Sequence, residues 1–73
     1  MINTAFSRVL KQLRQHKGLS QEAFGFEADL HRTYVSQLER GLKSPSLETL
    51  EQICKALDIP MSRMLRLVEK ERK

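Results

Sequence analysis

The chain has little of what marks an enzyme, a membrane protein or a secreted disulfide scaffold. It holds one cysteine in 73 residues, so no internal disulfide can form, and a reducing, cytoplasmic setting is the expectation. No apolar run approaches the roughly 18 residues that a membrane span requires. The opening MINTAFSRVLK is not read as a signal peptide, because its apolar residues are helically spaced and interrupted by Arg8 and Lys11. His16, His31 and Cys54 lack the spacing of a metal site. There is no Ser/His/Asp or Cys/His constellation and no glycine-rich phosphate loop. Catalysis, a metal, a cofactor and a small-molecule ligand are therefore not expected. Cys54 has the spacing of a core position, where a free thiol behaves as a small hydrophobe.

What is present is charge and helical periodicity. Thirteen Lys and Arg against nine Asp and Glu give a formal charge of +4. That balance favours a polyanionic partner without identifying one. A chain of this length forms one domain and buries only about 60% of its unfolded surface, so dimerisation would help it.

Five helical segments and no strands are predicted, an all-α domain. The first runs from about Thr4 to Lys17, capped by Asn3 or Thr4, with Phe6, Val9, Leu10 and Leu13 as its buried stripe. Gly18 sits where a left-handed C-cap is wanted. The fourth helix begins at the Ser46 cap and turns Leu47, Leu50, Ile53, Cys54 and Leu57 inward. Asp58-Ile59-Pro60 ends it. The fifth runs from Met61 towards Glu69 with Met61, Met64, Leu65 and Val68 inward, and the tail EKERK is expected to fray. The ordered core is thus expected over about residues 4–69. Phe6, Leu10, Leu13, Phe24, Val35, Leu38, Leu50, Ile53, Leu57 and Leu65 are its apolar centre.

The middle of the chain, SQEAFGFEADLHRTYVSQLERG from Ser20 to Gly41, reads as two short helices joined by a tight turn. Ser20 is a good N-cap, with Glu22 well placed against the helix dipole. Asp29 marks the turn, since Asp tolerates the left-handed backbone. In the helix that follows, Val35 and Leu38 face one way, with His31 and Glu39 at the edges of their arc. Thr33, Ser36, Gln37 and Arg40 face the other, and Arg32 flanks the first turn. That outward face carries donors, acceptors and positive charge but no acid, the inventory for reading base edges and phosphates. An ordinary solvated face is the plainer alternative. His31, just before the helix, is placed to cap it or to touch a phosphate.

The run LSQEAFGFEADLHRTYVSQLERG, followed by PSLETLEQICKALDI, resembles the Xre-type helix-turn-helix family, which includes lambdoid phage repressors and Cro proteins. The RTYVSQLERG segment is also similar to the controller proteins of restriction–modification systems. The likeness spans about residues 6–65 and implies a compact five-helix lambda-repressor-like domain. Three positions depart from the family pattern: Gly25, which costs about 1 kcal/mol relative to Ala in a helix, Asp29 at the usual turn glycine, and Phe26 at a frequently polar position.

The resemblance implies that helix 3 enters the major groove of double-stranded DNA. Arg32 would read guanine, Gln37 an adenine or a mixed step, and Thr33 and Ser36 a thymine methyl or a hydrogen bond. Gln21 would hold a phosphate, and Arg40, Lys43 and Ser44 the neighbouring backbone. Tyr34 either sets its hydroxyl on a phosphate or closes the edge of the core. The resemblance further implies a salt bridge between Arg14 and Glu39 tying helix 1 to helix 3. A homodimer on a palindromic operator is expected, with Met64 and Leu67 on helix 5 as the dimer surface and Phe26 as runner-up. The function implied is a transcriptional repressor or controller. The alternative is an antitoxin-type interaction module, disfavoured because only EKERK follows helix 5.

Overall fold

A computed structural model describes all residues 1–73. Five helices follow in order: α1 Ile2–His16, α2 Gln21–Ala28, α3 Arg32–Glu39, α4 Leu47–Leu57 and α5 Met61–Arg72. There are no strands. The boundaries follow local chemistry. Ser20 accepts a hydrogen bond from the Ala23 N–H at 3.0 Å, and Ser46 one from the Thr49 N–H at 3.1 Å. Each hydroxyl satisfies a donor that the first helical turn leaves open. Asp29 and Asp58 end α2 and α4 in the left-handed region, at φ 58° and 54°.

The two ends of the chain differ from the sequence expectation. Neither Asn3 nor Thr4 caps α1, which starts at Ile2 with Met1 preceding it and no side-chain cap. The Asn3 side chain is engaged elsewhere, accepting from the Ser44 hydroxyl at 2.8 Å. α5 continues to Arg72, past the Glu69 end expected for it. Its last turn lies against α1, with Glu71 3.6 Å from Arg8.

α1 packs along α5 and against α3, while α2 lies between α3 and α4. Phe24, Leu10, Leu38, Ile53, Met64, Val35 and Val68 are fully buried where these helices meet. Cys54 is buried too, and burial pushes its thiol pKa up, away from reactivity. Four apolar assignments need correction. Leu47 and Leu65 are exposed, and Leu13 and Met61 are only half-buried. Leu47 and Leu65 lie at the edges of the buried arcs of their helices. Leu47 is moreover the first residue of α4, where no neighbouring helix reaches.

Gly25 acquires a role that helix propensity hides. A Cβ built there would lie 2.5 Å from the Leu30 carbonyl oxygen. The Leu30 N–H in turn donates to the Gly25 carbonyl at 2.7 Å, so the turn folds tightly back on α2. Gly25→Ala is therefore expected to destabilise the domain by about 1–3 kcal/mol, as overpacking does, although alanine is the better helix former. Urea unfolding of the two proteins measures the difference. A stabilised variant would show that the turn relaxes freely.

Candidate nucleic-acid interface

The residues expected to meet DNA lie at the start of α2, along α3 and in the loop after it. Short α3 begins where the His31 imidazole accepts from the Thr33 N–H at 3.1 Å through Nδ1, so His31 acts as its cap. Val35 and Leu38 bury one side of the helix. Arg32, Thr33 and Arg40 are left exposed, and Ser36, Gln37 and Tyr34 half-buried. Tyr34 packs against the edge of the core. Lys43 and Ser44 lie exposed in the loop after α3, which Gly41 enters at φ 73°.

Arg32, Thr33 and Ser36 share an open recess with Arg14, Ser20, Gln21 and Glu22. The recess has no apolar lining residue, so it is a polar surface with both signs of charge at its rim. Two lining residues lie outside the α3 face that the sequence pattern marks, Ser20, the cap of α2, and Glu22 in its first turn. Glu22 brings a carboxylate to a surface that the α3 face alone made free of acid, because its helix, not α3, supplies it.

Beneath the recess lies the ion pair. The Arg14 guanidinium donates to Glu39 through Nε at 2.6 Å and Nη2 at 2.9 Å, and through Nη1 to the Leu19 carbonyl at 2.8 Å. Both side chains are nearly sealed from solvent, at 9% and 3% exposure. The hydrogen bonds to Glu39 raise the Arg14 pKa further, against the opposing effect of burial. The pair joins α1 to the last residue of α3. Gln21, at the start of α2, joins it by donating from Nε2 to Glu39 Oε1 at 3.1 Å. No buried side-chain polar atom is left without a partner.

The expected dimer residues separate. Met64 is fully buried in the core and cannot form a surface. Leu67 is half-buried beside Val9 and Leu13 in a groove between α1 and α5. Phe26 is 88% exposed. The apolar arc of α5 suggested a surplus, but α1 covers its centre, so the residue left outside is Leu65.

Comparison with known proteins accords with this geometry. A family profile described as helix-turn-helix matches residues 10–64. The control protein C.MunI of a Mycoplasma species is 44% identical over 71 residues, 96% of either chain. The control protein C.BamHI of Bacillus amyloliquefaciens is 46% identical over 59 residues, 80% of this chain and 73% of that one. The crystal structure of the restriction–modification controller protein C.Esp1396I superposes with a TM-score of 0.90 at 30% identity, covering 99% of this chain and 92% of that one. These relatives are control proteins, not enzymes.

Proposed function

We infer, from the fact that this chain belongs to the Xre-type helix-turn-helix family of DNA-binding regulators, that it is a controller-type regulator reading a palindromic operator as a homodimer. The observation that carries this reading is the polar recess at the start of α2 and α3, lined by Arg32, Thr33 and Ser36 and by no apolar residue. α3 enters the major groove, where Arg32 reads guanine and Thr33, Ser36 and Gln37 read adjacent base edges. Gln21 holds a phosphate beside the N-terminus of α2, where open N–H groups and the helix dipole favour an anion. Tyr34, Arg40, Lys43 and Ser44 hold the flanking backbone. The work is done in the cytoplasm, where the DNA is. Selection of bound sequences from random duplex DNA tests the reading. A two-fold symmetric consensus is expected, and failure to enrich any sequence overturns it.

One such domain reads too few base pairs to be specific in a genome, and a two-fold pair reading half-sites about one helical turn apart supplies the remainder. The flank of α5 carrying Leu65 is the dimer surface we favour, because Leu65, 43% exposed, and half-buried Leu67 leave apolar surface on one helix while Met64 is spent on the core. Phe26, 88% exposed on α2, stays the runner-up. The wild-type chain is expected to sediment as a dimer at micromolar concentration and Leu65→Glu as a monomer. A wild-type monomer, both free and on a palindromic duplex, would exclude dimerisation.

A further inference from the structure

Glu39 has a second hydrogen-bonding partner besides Arg14. Its Oε1 accepts both Arg14 Nη2 at 2.9 Å and Gln21 Nε2 at 3.1 Å. An ionised carboxylate can only accept, so the group turned toward it must be the amino end of the Gln21 amide and not the carbonyl. The direction of this amide, ordinarily ambiguous, is thus set by chemistry. One amino proton is used on Glu39. The other stays available to the recess that Gln21 lines with Ser20, Arg32 and Thr33.

We propose that Glu39 is a positioning residue for DNA: its carboxylate, neutralised by Arg14, holds the Gln21 amide so that an N–H is already set for a backbone phosphate. The proposal rests on the DNA-binding reading above. Ordinary hydrogen-bond lengths and a trigonal nitrogen put a phosphate oxygen on Gln21 roughly 5 Å from Glu39 Oε1. Two anions that close would repel. Arg14, donating twice to Glu39, removes that repulsion, so the buried pair has a purpose at the surface as well as in the fold. Glutamine is among the side chains that lose most rotamer freedom when fixed. Fixing it before DNA arrives removes that cost from the binding step. Without Glu39 the amide would turn both its ends to the recess alike, although only its amino end can donate to a phosphate.

A double-mutant cycle on the full chain separates this role from a structural one. Operator affinity is measured for the wild type, Gln21→Ala, Glu39→Gln and the double variant, each shown to be folded by circular dichroism. An amide at position 39 offers a single acceptor oxygen, for which Arg14 competes. Any change in the Arg14 field is common to both backgrounds and cancels. Glu39→Gln is expected to weaken binding about fivefold or more further in the wild-type background than in Gln21→Ala, from the cost of immobilising a flexible side chain at two half-sites. Effects equal within twofold in both backgrounds would overturn the positioning role while leaving DNA binding intact. A wild-type chain that binds no duplex would overturn both. If Glu39→Gln does not fold, the wild-type side-chain amide spectrum decides instead. One Gln21 amino proton is expected to be shifted and protected in the free protein, and the other to move on adding duplex. Two Gln21 amino protons with the shifts and exchange rates of those of exposed Gln15, neither of them moving on adding duplex, would refute the proposal.

Discussion

Glu39→Ala is expected to cost about 3–5 kcal/mol of folding stability, the range for removing one partner of a buried ion pair. The loss exceeds that of an exposed pair because Arg14 would be left charged and nearly sealed from water, with only the Leu19 carbonyl to receive its donors. Gln21 would lose its acceptor in the same step. A domain of this length is stabilised by only about 4–11 kcal/mol in all, so the change removes a large part of the total. The melting temperature should fall by at least about 12 °C, given the usual 4–8 °C per kcal/mol in domains of this size. Glu51→Ala is the control. Glu51 is exposed and forms no ion pair, and surface substitutions of that kind stay within about 0.5 kcal/mol. Equal melting temperatures for the two variants would show that water reaches Glu39 and solvates it.

Arg32→Ala is expected to reduce operator affinity by about 1–3 kcal/mol for each half-site, the worth of a bidentate arginine–guanine contact, and twice that on a two-fold operator. Binding to random DNA should barely change, so the sequence preference flattens at one position per half-site. The reason lies in placement. Arg32 is the first residue of α3, exposed, and opens onto the recess, whereas Lys43 lies in the loop after α3. In the proposed docking a side chain there meets phosphates, which position the protein but carry no sequence information. Lys43→Ala should accordingly weaken operator and random DNA alike. It should also lower the salt slope of binding by about 0.9 per phosphate contact, or nearly 1.8 in a dimer. If Arg32→Ala reduced both affinities by one factor, Arg32 would be a phosphate clamp, and the first turn of α3 would not read bases.

The helices, their order and the outward face of α3 were legible in the sequence because each depends on neighbours a few residues away. Ser20 and Ser46 cap through N–H groups three residues on. Gly18 and Gly41 take positive φ where helices must end, as Asp29 does at the turn. The spacing of Val35 and Leu38 selects the buried side of α3, and so the opposite face. The sites of Arg14 and Glu39 were legible only through resemblance, since no local rule links residues 25 apart.

The rest was decided by contacts between helices. A helical wheel gives an apolar arc but not which of its edges a neighbouring helix covers. Met64 therefore went to the core and Leu65 to the surface of α5, and Leu47 was left outside at the start of α4. Likewise, Gly25 reads as a weak helix residue until the Leu30 carbonyl is found where its Cβ would be. Glu22 enters the recess from α2, and Gln21 reaches Glu39 across 18 residues. Local chemistry determined where each helix starts and stops. Close packing of α1, α2 and α3 determined which side chains meet, because one carboxylate can serve two donors only where three helices bring them within hydrogen-bond reach.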